Sequence, residues 1–198
     1  MIGISYKEIS SAIAIIVTFI AFYPYLSGVL QNSIKPHVFS WVIWATTTLA
    51  VFLAQVQSHG GVGAWPIGLS GIVTAVIAML AYLKRADVSI TRLDWLFFIS
   101  AMASLPLWYF TSDPMWAVIV LTAVDILGFG PTLRKTYNSP HSESLLFFSL
   151  FAVRNSLVIL ALESYSVATV LFPAAVAVAC VFVIVQIVVR RGVVTANL

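Results

Sequence analysis

The sequence predicts an all-α membrane protein with seven transmembrane helices, arranged as two parallel three-helix repeats joined by a linker helix (3+1+3). Three observations predict it. The 198 residues are 61% hydrophobic and only 9% charged, and the mean hydropathy is +1.04, whereas a soluble domain carries roughly 25% charged residues. Apolar runs of near-spanning length alternate with polar breakers along the chain, and as a soluble fold they would leave large apolar patches in water. Finally, the chain echoes itself. Phe22-Tyr23-Pro24-Tyr25-Leu26 returns as Phe129-Gly130-Pro131-Thr132-Leu133 at an offset of 107, and Pro66 meets Pro173 at the same offset. Asn32-Ser33 returns as Asn138-Ser139, and the P-H-x-x-S of Pro36 to Ser40 returns from Pro140 to Ser144 at offset 104. An internal repeat in a membrane chain points to a transporter-type fold with its site between the repeats.

A helix needs about 20 apolar residues to cross roughly 30 Å of hydrocarbon. The expected spans are Ser11–Leu30, Ser40–Val56, Pro66–Leu83, Leu93–Phe110, Met115–Leu133, Leu145–Leu162 and Tyr165–Val189. The mixed-charge start at Lys7-Glu8 and the long apolar run after it read as a first span rather than a cleavable signal. Gln31–Phe39 ends that span, and the Gly60-Gly61 turn within Gln57–Trp65 ends the second. Gly60-Gly61-Val62-Gly63 lacks the G-K-[ST] of a phosphate loop, so it is a turn. Lys84–Arg92, Thr111–Pro114, Arg134–Ser144 and the Glu163-Ser164 turn separate the rest. No linker is long enough to divide soluble domains. The organisation is thus a first repeat over 1–83, a linker helix over 84–114 and a second repeat over 115–198.

Basic residues orient a membrane chain, because Lys and Arg collect in cytoplasmic loops. With the N-terminus outside, those loops hold Lys35, Lys84, Arg85, Arg92, Arg134, Lys135, Arg190 and Arg191, against Lys7 alone on the other face. The expectation is a multi-pass membrane protein with its N-terminus outside and its C-terminus cytoplasmic. One helix linking two three-helix units makes both point the same way, so the repeats are parallel.

The 3+1+3 plan, the N-out topology and a proline near the cytoplasmic end of each unit's first helix resemble the SWEET / PQ-loop superfamily. That group includes sugar facilitators, lysosomal amino-acid exporters, vitamin-precursor carriers and a retrieval receptor. The resemblance implies a seven-helix transporter working by alternating access. Two departures bear on substrate. The glutamine that follows the proline in PQ-loop proteins is here Tyr25 and Thr132. The pocket asparagine of the sugar facilitators has no counterpart in Pro66–Leu83 or Tyr165–Val189.

Asp125 and Arg154 are the sharpest candidates. Each lies nine residues from the cytoplasmic end of its span, about 13 Å deep at 1.5 Å per residue. An ionised group there costs roughly 2.5–3.5 kcal/mol on insertion scales unless it is paired or hydrated. The two are expected within salt-bridge reach, as a substrate or proton site or as a structural lock between helices. Asn155, with Phe151 and Phe148 one and two turns before it, suits a ring-shaped or amphipathic solute or an interhelical hydrogen bond. Trp41 reads as part of the interfacial aromatic belt. Trp44, one turn deeper and followed by Thr46-Thr47-Thr48, either lines a cavity or packs. The substrate-binding candidates are therefore Asp125, Arg154, Asn155, Trp44, Thr47, Phe148 and Phe151.

Prolines inside helices free a carbonyl and bend the chain. Repetition marks Pro24 and Pro131 as hinges, with Gly128 and Gly130 beside the second, while Pro106 and Pro173 read equally as static kinks. His37 and His141 read as interfacial caps or gating groups, and His59 as a loop residue. Cys180 stands alone, so an intrachain disulfide or thiolate metal site is excluded. No metal, cofactor or nucleic-acid partner is expected; the partners are a small solute, the bilayer and, as an option, further copies of the chain. A retinal receptor fails because Lys7, Lys35, Lys84 and Lys135 all lie outside the apolar cores. An enzyme lacks a nucleophile–base pair in the spans. What remains is a transporter of a small polar or ring-shaped solute, facilitative or proton-coupled, or alternatively a non-transporting receptor or assembly factor of the same shape.

Overall fold

The computed structural model describes residues 5–32, 38–84, 92–127, 129, 133, 136, 137, 140 and 144–196. All regular secondary structure among them is helical: α1 (Tyr6–Leu30), α2 (Val38–Gln57), a 3-10 turn (Gly61–Ala64), α3 (Trp65–Leu83), α4 (Arg92–Thr111), α5 (Pro114–Leu127), α6 (Leu145–Ala161) and α7 (Val167–Ala196). Among the described residues three helical stretches are long and apolar enough to cross a membrane: Tyr6–Leu30, Gly61–Leu83 counting the 3-10 turn, and Val167–Gly192. Trp41–Gln57, Pro114–Leu127 and Leu145–Ala161 are shorter apolar helices. Gly128, Gly130, Pro131, His37 and His141 lie outside the described residues.

Local chemistry sets the boundaries. α1 starts before the apolar run because Ser5 and Glu8 form a capping box: Glu8 Oε2 accepts the Ser5 N–H at 2.8 Å and Ser5 Oγ accepts the Lys7 N–H at 3.3 Å. Those bonds satisfy orphan donors of the first turn. Ser144 caps α6 by accepting the Phe147 N–H at 3.2 Å. α7 runs past Val189, with Arg190 Nε and Arg191 Nε donating to the Tyr137 and Pro140 carbonyls, each at 3.0 Å.

α1 packs on α3 and α6, α2 on α3, α4, α5 and α7, and α7 on α5 and α6. Exchanging α1, α2 and α3 with α5, α6 and α7 maps α1–α3 onto α5–α7, α2–α3 onto α6–α7, and α1–α6 onto α5–α2, all of which are present. Side-chain bonds follow the same exchange. Lys84 Nζ donates to the Leu30 carbonyl at 2.9 Å, and Arg190 binds the Tyr137 carbonyl in the other half. The prolines repeat too. Pro66 has no N–H for Val62 O, which accepts the Trp65 N–H within the 3-10 turn and the Ser11 hydroxyl at 2.6 Å. Pro173 likewise leaves Thr169 O open, and it accepts Gln55 Nε2 at 2.7 Å. Freed carbonyls satisfied by neighbouring side chains are what make prolines tolerable in apolar helices.

Lys7 lies over the Tyr165 ring, Thr18 meets Arg154, and Phe22 meets Phe151, so α1 and α6 run antiparallel. α1, α3, α5 and α7 therefore begin at one end of the bundle, its head, and finish at the other, its foot. Small residues let the helices approach closely: Ala14, Ala50, Ala54 and Ala117 are buried in the core with Val51, Ile67, Val118 and Leu121. Outward faces are apolar instead of polar. Ile13, Ile16, Phe19 and Ile20 on α1 and Val181, Phe182, Val185 and Val189 on α7 are exposed. Helices apolar all round belong in a membrane or a large core.

Candidate functional site

A cavity of about 490 Å³ lies between the two halves. Each half contributes three helices to its wall: Phe22, Pro24 and Tyr25 from α1; Trp41, Trp44 and Thr48 from α2; Ser70 and Thr74 from α3; Asp125 from α5; Leu146 to Arg154 along one face of α6; Phe172, Val176 and Cys180 from α7. It extends from mid-bundle toward the foot, where Pro24, Ser144 and Leu146 are exposed.

The aromatic wall is a chain of ring contacts. Tyr25 and Trp41 have centroids 4.8 Å apart, Trp41 and Trp44 meet edge-on at 5.6 Å, and Phe22 meets Phe151 edge-on at 5.3 Å. Phe151 in turn stacks on Phe147 at 4.5 Å. Such pairs hold the rings in fixed orientations. Trp41, expected in the interfacial belt, is instead 8% exposed in this wall. Its depth along α2 suits an interface, but its face turns inward onto Tyr25 and Trp44.

Arg154 is 2% exposed and spans the halves. Its Nη2 donates to the Pro66 carbonyl of α3 at 2.7 Å, its Nε to Thr18 Oγ1 of α1 at 3.3 Å, and its Nη1 to Asn155 Oδ1 at 3.0 Å. Asn155 Nδ2 is held by the Phe151 carbonyl at 2.8 Å, which leaves its oxygen facing the guanidinium. Asp125 Oδ1 accepts the Thr47 hydroxyl at 3.4 Å. The expected Asp125–Arg154 salt bridge is not formed here: both groups line one cavity, yet among the described residues each binds only neutral partners. Matching depth does not fix direction around the helix axis. α5 packs mainly on α2, α4 and α7, and α6 on α1 and α7, so the two share α7 as neighbour.

Five of the sequence candidates, Trp44, Asp125, Phe148, Phe151 and Arg154, line the cavity, and Thr47 and Asn155 sit one bond behind its charged groups. Pro24 lines it near the foot. Sequence reasoning missed Thr18, Ser70, Thr74 and Cys180. Thr18 carried a signal: at the repeat offset of 107 it is the counterpart of Asp125. Each of these two reaches the second helix of the opposite half, Thr18 to Arg154 and Asp125 to Thr47.

Toward the head the halves are tied together. Gln55 of α2 binds Thr169 O of α7, Glu163 N–H donates to the Gly60 carbonyl at 3.1 Å, and Gly63 lies against the backbone of Ala161 and Leu162. At the foot, Lys84 and Arg190 each bind within their own half. Comparison with family models, with curated proteins and with solved structures finds no match to this chain.

Proposed function

We propose that the chain is a seven-span membrane transporter of 3+1+3 plan, N-terminus outside, moving a small polar or ring-shaped solute by alternating access between two parallel three-helix bundles. One observation carries this reading: the cavity lies between two halves whose helix contacts interchange, with three helices from each half in its wall. Binding at the interface of repeats that rock against each other is how repeat-built transporters expose one site to two sides. The polar ties near the head and the cavity's reach toward the foot favour a state open to the cytoplasm and sealed outside. The basic residues at the foot, Lys84, Arg190 and Arg191, support that orientation under the positive-inside bias. Pro24, at the cavity wall, is the hinge proposed for the first half, with Pro131 its counterpart in the second.

The test is uptake of labelled sugars, nucleosides, amino acids and vitamins into liposomes bearing the purified protein. Saturable uptake of one class, competed by unlabelled solute, is the expected result. Saturable binding with no flux for every class would reject transport and leave a receptor.

A further inference from the structure

Two opposite charges line one cavity without bonding each other. A guanidinium has five N–H donors; Arg154 directs three to neutral oxygens and has no carboxylate partner among the described residues. Asp125 accepts a single long hydroxyl bond, and its second oxygen has no partner among the described residues. Burying an ion costs several kcal/mol unless an opposite charge and good hydrogen bonds compensate. The apo site leaves that compensation incomplete on both sides.

On the transporter reading above, we propose that the cavity takes an aromatic zwitterion, its anionic group at Arg154, its cationic group at Asp125 and its ring among Trp44, Phe22 and Phe151. A monoanion compensates Arg154 but meets the like charge of Asp125, and a monocation has the converse fault. A neutral polyol meets hydroxyls at Thr48, Ser70 and Thr74 but compensates neither charge. A zwitterion satisfies both ends and leaves a ring to stack on the aromatic wall, where fixed ring geometry favours flat apolar groups. The volume, about 490 Å³, falls within the roughly 300–1,000 Å³ of small-molecule sites.

The experiment compares L-tryptophan and L-phenylalanine with 3-phenylpropionate, which lacks the ammonium, with phenethylamine, which lacks the carboxylate, and with glucose. Binding to the full chain in detergent is read by calorimetry. The zwitterions are expected to bind at least tenfold more tightly than either truncated analogue. Asp125→Asn should erase the preference over 3-phenylpropionate, and Arg154→Gln the preference over phenethylamine. Equal or tighter binding of a truncated analogue or of glucose, or no binding of either zwitterion, overturns the proposal. The comparison on the unsubstituted protein decides by itself, even where a variant does not fold. Saturable vesicle uptake of some other solute overturns the zwitterion alone; absence of flux for every solute overturns the transport reading separately.

Discussion

Replacing Arg154 by Met separates what the guanidinium does for stability from what it does for function. Met keeps much of the aliphatic stem and removes the charge. Charge-assisted hydrogen bonds contribute about 1.5–3 kcal/mol each, so three suggest a large loss. Most of it is offset. Thr18 Oγ1 still donates to Ala14 O at 2.8 Å and Asn155 Nδ2 still donates to Phe151 O, while several kcal/mol of guanidinium desolvation disappear with the charge. What remains is an unbonded Asn155 oxygen and the lost bond to Pro66 O, for a net loss of about 1–3 kcal/mol. Arg154→Ala adds a void of about 100 Å³, and at about 24 cal/mol per Å³ a further loss of about 2 kcal/mol. A change of 1 kcal/mol moves Tm by about 2–4 °C at this chain length. Thermal unfolding followed by circular dichroism in detergent should therefore place Met about 2–12 °C below the unsubstituted protein and Ala about 4–8 °C lower still. Solute binding should be lost in both. A Met variant as unstable as Ala would refute the offset argument, and one that unfolds normally and still binds solute would remove Arg154 from the site.

Further outcomes follow from the same geometry. Gln55→Met deletes the bond to Thr169 O but also removes Gln55 Oε1, a buried acceptor without a partner among the described residues; the two effects oppose, and denaturant unfolding should show a change under about 1 kcal/mol. Gly63→Ala puts a Cβ within 2.8 Å of the Ala161 and Leu162 backbone, which should cost about 1–3 kcal/mol. Gly192→Ala meets nothing within 4 Å and should stabilise by up to about 1 kcal/mol through helix propensity; equal effects at the two sites would contradict the tight head packing. In a Cys180→Ser background, a cysteine at Ser58 should react with an impermeant maleimide in intact cells, whereas one at Lys84 should react only after lysis. Labelling at position 84 from outside, with position 58 protected until lysis, would reverse the topology, and labelling of both from outside would show that α3 does not span.

Much of the fold was legible because its causes are local. Apolar run length and the breakers around Gly60 and Glu163 placed most helix ends to within a few residues, with α1 starting earlier, at Tyr6, and α7 running on to Ala196, since each helix satisfies its own backbone and needs no partner to do so. Even the earlier start of α1 rests on a local signal, the Ser5–Glu8 capping box. Candidate site residues were legible for a related reason: charged and ring-bearing groups deep in apolar segments are costly or conspicuous wherever the helix turns. What a single helix cannot encode is which neighbour a side chain faces. Depth put Arg154 level with Asp125, yet only packing decided that α6 lies against α1, so that the guanidinium meets Thr18 and the Pro66 carbonyl. Trp41 followed the same logic, its height suiting the interface and its face belonging to the cavity. The carbonyls of Val62 and Thr169, which lose an N–H partner to Pro66 and Pro173, were countable in the sequence, but Ser11 and Gln55 reach them from distant helices. The chain by itself thus determined where helices run and which groups they carry to mid-depth. The tertiary structure alone decided how those groups pair, because hydrogen bonding depends on azimuth and distance between helices, which no local pattern contains.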